Sequence, residues 1–546
     1  MHSFLKFYPF LSYPSPMISL LPWVMVLVAP SKGIDLDTLT RMTSRFAPSA
    51  VVANLSHLSA GDKAALTKVI EAGKYIDTVY MRQLWGRNEV TLLDLARDTS
   101  DLGHAQLSYF LLNKGPWSVI DKMQPFLPDI PPAPLGAGFY PEDLTKAQLE
   151  AWLQTLPAEQ KKLALSPLSV IRRKDGKLQA VPYSEAYQAE FLVVSQLLAD
   201  AALLVKEPSL KKYLAERSRA FLNNDYGASE VQWNDVQAAL EVFIGPAKVD
   251  DDTLFGIKSS FGAMIGVRDE KETARLKKLA AHLRPILAQI ARWPKERQLP
   301  ETEVADLAFV SGVDNHSALE ISVQTDASMV AAGMEPKHPK TVVFRNATET
   351  KFDAMLKPIA DTLLARARAP EVQFDGFFTA VVFITWVDAL LSDSARSQKL
   401  REAYAPFSFA AVVAGGIWAL EKLAEQHEPG VASPQVISTT AAAMLIRWLR
   451  YDIGTPTGRS ALLDLNYLFE RGAMTFDADG RIVPTDKMAG ALDAMAHELM
   501  GVYVRADYAK ANELLQKYGT LRPEFAKLLE RVKDVPVDVD AIMVAN

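Results

Sequence analysis

The acid best placed for chemistry in this sequence is Asp388. With Thr385 it interrupts the second half of a nearly unbroken apolar run, FDGFFTAVVFITWVDALL, from Phe374 to Leu391. Three residues apart, the two side chains share a face if the run is helical. An isolated carboxyl in an apolar wall has its pKa raised by desolvation, so it stays protonated near pH 7 and can serve as an acid. That is the equipment of a metal-independent, cofactor-independent isomerase, lyase or cyclase. Phe383, Ile384, Trp386, Phe407, Phe409, Val412 and Val413, with small Ala410, Ala411, Ala414, Gly415 and Gly416 between them, would form a wall suited to an apolar small molecule. His316, in VDNHS, is the candidate proton carrier opposite Asp388, with Asp314 to orient it; the alternative is a loop histidine at a strand end. Asp250, Asp251 and Asp252 could supply a second acid or bind a cation, or form a solvated turn, and Lys248 could hold an anionic group. The bland account of Asp388 is a satisfied polar residue, bonded to Thr385 or paired with Arg447 or Arg450.

Composition narrows the field. The 546 residues are 49% hydrophobic and 23% charged, which suits a soluble globular chain of two to four lobes. A net charge of -6 argues against a nucleic-acid partner. The absence of cysteine removes disulfides, thiolate nucleophiles and cysteine-based metal sites, and the eight histidines are scattered without helical ligand spacing. The residues therefore predict neither a metal nor a cofactor. Near the N-terminus, Ile18 to Ala29 has the length of a signal-peptide core, too short for a membrane span. Pro22 interrupts it and Lys6 is the only nearby cation before it, so residues 1–32 read either as an export leader to the periplasm or as the apolar arm of a cytoplasmic protein.

The elements that must position these residues are mostly helical. Ser59 stands as an N-cap before a helical pattern from Leu58 to Gln83. The prolines between Pro125 and Pro141 mark a connection, Glu185 to Phe221 reads as two packed helices, and Trp233 to Val242 as another. Between Val304 and Phe344 the texture turns to alternating and β-branched residues, the mark of a few strands. Helical patterns return at Lys351–Arg368, Phe374–Ser394, Leu400–Ala424 and Ser438–Leu449.

Several collinear segments carry a family resemblance: SEAYQAEF, FLNNDYGASEVQW, LEVFIGP, LFGIKSSF, VFRNATETKFDAMLKPIA, LNYLFERGA and DVPVDVD. Across roughly Ala47 to Val539 the chain resembles the dipeptidyl-peptidase III family of zinc peptidases. The resemblance implies a mainly α fold with a small β core, in two lobes flanking a wide cleft. The expected division places 1–32 as a leader or arm, 33–253 with 303–350 and 515–546 in a lower lobe, and 254–302 with 351–514 in a helical upper lobe.

The chain departs from that family where the chemistry should be. The family's zinc helix continues as HExxH or HExxxH, two ligands and a base. Here the first His falls on Ile384, the Glu on Thr385, and the second His on Asp388 or Ala389. The family's EExxxD segment falls on Ser408, Phe409 and Val413. Where a Tyr-Glu pair would hold a peptide's amino terminus stand Ala247 and Lys248. The peptide-binding strand keeps Val323, Gln324 and Thr325, but its two asparagines become Met329 and Ala332. A family histidine falls on Thr457, although Arg450 and Gly458 remain. The resemblance thus implies a divergent member that is not a zinc peptidase. Two functions stay open: a cleft reused for an apolar small molecule, lined by Phe383, Trp386, Phe409, Lys248, Asp250, Asp251, Asp252, Gln324, Thr457 and Arg450; or a catalytically inactive pseudopeptidase that binds or scaffolds.

Overall fold

Side-chain caps set where the first helices begin. Asp35 accepts from the Thr38 N–H to start α1 (Leu36–Thr43), and Ser59 accepts from the Asp62 N–H to start α2 (Ala60–Leu84). These belong to a computed structural model that describes residues 33–290, 299–312, 322–324, 340–391, 394–450 and 453–545. The apolar N-terminal arm and His316 lie outside the described residues. Beyond α2 come α3 (Asn88–Arg97), α4 (Asp101–Asn113) and a hairpin of β2 (Ser169–Lys174) and β3 (Lys177–Pro182). Asp175 and Gly176, both at positive φ (51° and 76°), make its two-residue turn. The expected helix pair is α5 (Gln188–Leu204) and α6 (Pro208–Asn223).

The helix expected from Trp233 to Val242 is not there. α7 (Gly227–Asn234) ends early, and Leu240 opens β4 (Leu240–Lys248). A short apolar run buried on both faces has no period to separate strand from helix, and LEVFIG is such a run. β4 pairs with β5 (Ser260–Arg268), and after α8 (Glu270–Leu287) come β6 (Glu301–Ser311), β7 (Ser322–Gln324) and β8 (Lys340–Phe344). The sheet order is β4-β5-β6-β8-β7, with β8 parallel to β6 and the other neighbours antiparallel. A charge cluster is buried in it: Glu241 binds Arg268 at 2.5 Å and Lys340 at 2.8 Å, and Arg268 reaches Glu303 at 3.4 Å. Two cations and two carboxylates cancel, which makes their burial tolerable.

The remainder is helical. α9 (Arg345–Lys351) continues through a π-helical turn into α10 (Lys357–Leu363), followed by α11 (Phe374–Leu391), α12 (Tyr404–Glu425), α13 (Pro434–Leu449), α14 (Pro456–Glu470), α15 (Met488–Arg505) and α16 (Tyr508–Tyr518). The last strand, β9 (Asp538–Ala545), returns to pair in parallel with β1 (Phe46–Ala53), from Phe46 beside Asp538 to Ala53 beside Ala545.

Two large apolar cores result. One gathers α8 and the helices from α10 through α16; the other joins the five-stranded sheet to α2, α5, α6 and α9. The expected division is corrected at two places. Phe261 to Val267 of β5 pack in the sheet core, and Leu515, Tyr518, Phe525 and Leu528 pack in the helical core. No shift in composition marks either crossing. By length and composition α11 and the stretch Ala395–Glu425 could cross a membrane, but 72% and 78% of those windows are buried inside the protein, as core helices are.

Candidate functional site

α11 is apolar on nearly every side because it is packed on nearly every side. Phe383 is fully buried and Trp386 is 1% exposed; their rings sit 5.0 Å apart. Trp386 Nε1 donates to Thr302 Oγ1 at 2.6 Å, tying the helix to the start of β6. Across the seam lies α12, whose glycine permits close approach: a Cβ on Gly416 would stand 2.7 Å from the Ile384 Cα. Phe407, Val412 and Val413 are buried, and half-buried Phe409 meets Trp448 edge to face at 5.3 Å. The expected wall exists, but its large rings pack against protein.

Asp388 corrects the expectation built on it. It lies exposed on α11, not within an apolar wall. Thr385, half-buried, donates to the Val381 carbonyl at 3.1 Å, its own helix one turn back. Near Asp388 is Tyr503, whose hydroxyl is held far above the usual range, first by burial, then by Tyr404 and by the Asp388 charge, with Arg396 opposing. The Arg396 guanidinium stands 5.7 Å over the Tyr503 ring.

The other candidate residues scatter. Lys248 is paired with Asp251 at 3.3 Å, and Asp251 also accepts from Ser260 Oγ at 2.6 Å. Asp250 is exposed. Asp252 is no solvated turn: it is buried, and it accepts from Tyr140 Oη at 2.9 Å and from the N–H groups of Phe255, Ile257 and Lys258. A carboxylate so saturated organises its loop and is unavailable as an acid or a cation ligand. Arg450 donates to the Val535 and Pro536 carbonyls, and Thr457 sits half-buried in the first turn of α14. Gln324 ends β7, of which only the backbone is described.

Among the buried ionisable groups outside the expected site, three stand out. Lys258, 1% exposed, donates from Nζ to the Ala164 and Ser166 carbonyls and to Ser169 Oγ at 2.7 to 2.8 Å; burial pulls its pKa down to about 7, against the Asp252 charge. Asp464 is fully buried, neither carboxyl oxygen has a hydrogen-bond partner, and burial holds its pKa well above the ordinary range. Glu421, 1% exposed, is pushed up to about 7 by burial although Ser438 Oγ donates to it at 3.2 Å. A charged residue inside an apolar helical run is the signal for Asp464 and Glu421, as it was for Asp388.

The architecture defines a mainly helical scaffold with a small five-stranded core, matched in solved structures along nearly its whole length. DPP III from Caldithrix abyssi superposes with a TM-score of 0.86 at 29% identity, covering 92% of this chain and 98% of that one. Dipeptidyl-peptidase III from Corallococcus sp. strain EGB gives a TM-score of 0.78 at 36% identity, covering 94% and 98%. The chain belongs to the dipeptidyl-peptidase III family, as a divergent member without its zinc-binding and catalytic motifs. A curated relative, Nudix hydrolase 3 of Arabidopsis thaliana, is 28% identical over 92% of this chain and 73% of its own length. No family model matches the chain.

Membership implies zinc, and the residues present do not fit it. Zinc takes nitrogen, oxygen or sulfur donors. Ile384, Phe409 and Val413 offer none, and among the described residues no three His, Asp or Glu side chains come together.

Proposed function

We propose that this protein is a catalytically inactive pseudopeptidase, a dipeptidyl-peptidase III scaffold retained for binding. The carrying observation is the α11–α12 seam. Where the family resemblance puts a ligand, a base and a third ligand, this chain has Ile384 against Gly416, a threonine bonded to its own helix, and Phe409 against Trp448. Packing at interior density leaves a reacting centre no donor set. Reuse of the site for acid/base chemistry is the weaker reading, because Asp388 lies exposed.

The test combines elemental analysis of the purified full chain with hydrolysis of dipeptidyl arylamides, with and without added zinc. The expected result is no stoichiometric zinc and no release of arylamine above buffer, while intact peptides still bind in a fluorescence-polarisation titration. One zinc per chain together with dipeptide release overturns the proposal, and so does failure to bind any peptide in a diverse library.

A further inference from the structure

A surface helix ordinarily turns charged and polar residues to water, and the outer face of α5 does not. Ala189, Leu192, Gln196, Ala199 and Leu203 follow one another along it at spacings of three and four residues, and none carries a charge. Leu192 is 53% exposed, and Leu203, at 76%, is the most exposed large apolar side chain among the described residues. Neighbours hold the helix from its sides. The Ser195 and Ser218 hydroxyls meet at 3.0 Å between α5 and α6, and Arg82 of α2 reaches Glu190 at 2.8 Å. The serine contact sets the antiparallel register that brings Leu222 of α6, 49% exposed, beside Leu192. α2, α5 and α6 thus form a layer whose middle helix shows solvent an apolar stripe.

We infer that two copies of this chain pair through that stripe. Spacings that alternate three and four are those of a coiled-coil seam. The order Leu, Gln, Ala, Leu also fits its own reverse. In antiparallel contact Leu192 lies over the second copy's Leu203 and Gln196 over its Ala199, and each contact occurs twice, as a twofold interface requires. The charges agree with this direction. One end of the layer carries exposed Lys206, Lys211 and Lys212 and the other exposed Glu185 and Asp225, so antiparallel contact sets cations beside carboxylates; Arg219, at the acidic end, is held by Glu216. The layer is about 26 Å long and about 25 Å wide, a face of roughly 650 Å². A standard interface takes about 800 Å² from each partner, so the face is of the size a stable dimer needs. The pairing is independent of the pseudopeptidase reading, since it uses no residue of the α11–α12 seam.

The test is sedimentation velocity of the full chain from about 1 to about 100 μM, with thiol cross-linking to read the register. A species of twice the chain mass should grow with concentration. Leu192→Glu/Leu203→Glu should weaken the association about 100-fold or more and keep the wild-type circular dichroism, because both side chains are exposed. Leu135→Glu, at another exposed leucine, should leave the dimer intact. The chain has no cysteine, so Leu192→Cys and Leu203→Cys each carry a single thiol. Mixed under mild oxidant, these two variants should form a disulfide-linked dimer. Neither should do so alone, because like positions stand about 16 Å apart along the helix axis. A monomer at every concentration, a dimer indifferent to the two glutamates, or cross-linking within each single variant but not in the mixture overturns the inference.

Discussion

Gly416 and Ile384 meet backbone to backbone: a Cβ on residue 416 would stand 2.7 Å from both the Cα and the N of Ile384. Gly416→Ala must therefore push α11 and α12 apart. The strain of overpacking, about 1–3 kcal/mol, exceeds the helix-propensity gain of up to about 1 kcal/mol, so denaturant unfolding should show a net loss. Gly490, in the first turns of α15, has nothing within 4 Å of its virtual Cβ, and Gly490→Ala should be neutral or stabilising. Equal effects at the two positions would mean that the seam is looser than described.

Asp464 ties stability to pH. Its folded pKa lies above the unfolded value of about 3.9, so the unfolded chain sheds the proton first and rising pH favours unfolding. The group's stabilising contribution is whole below about pH 4 and is lost as pH climbs toward the folded pKa. Glu421 acts in the same sense, from about pH 4.3 through about 7. Asp464→Leu should thus leave stability at pH 4 nearly unchanged and raise it at pH 8 by about 1 kcal/mol or more, read from urea midpoints. A gain of the same size at both pH values would count against an ionisable Asp464 as the cause.

Asp388→Asn should be silent. Mass-spectrometric comparison of metabolite extracts incubated with wild type and variant should show no difference. A species consumed by wild type alone would reinstate Asp388 as an acid.

Lys258→Met should cost about 2 kcal/mol or more, because two buried carbonyls and a serine hydroxyl lose their common donor. The loss should appear as faster proteolysis in the loop Val249–Ser259, which Asp252 and Lys258 together hold. Wild-type cleavage kinetics would disprove the role assigned to that ammonium.

The long helices were legible because FDGFFTAVVFITWVDALL and its neighbours are too long and too apolar for a strand; that they are core helices and not membrane spans shows only in their burial. Ser59 marked its boundary for the reason any N-cap does, by capturing an orphan N–H. The sheet was half legible. TVVFRN advertised itself by its β-branched residues, whereas LEVFIG and SFGAMIG, buried on both faces, carry no alternation: the first three residues of LEVFIG were read as the end of a helix, and SFGAMIG drew no assignment. The candidate site was least legible. Asp388, Asp464 and Glu421 all interrupt apolar runs, and periodicity alone does not say which face of a helix is left uncovered; that depends on α12 and α14, far along the chain. Asp252 shows the same gap, since no spacing rule announces that one carboxylate will gather Tyr140 and three backbone N–H groups.

The parallel pairing of β1 with β9 has a consequence for biosynthesis. The first strand described cannot find its neighbour until Asp538 to Ala545, nearly 500 residues on, have left the ribosome. Until then its edge is open to other chains, which makes a prematurely terminated product a sticky one. A chain cut short before Asp538 lacks the strand that seals β1.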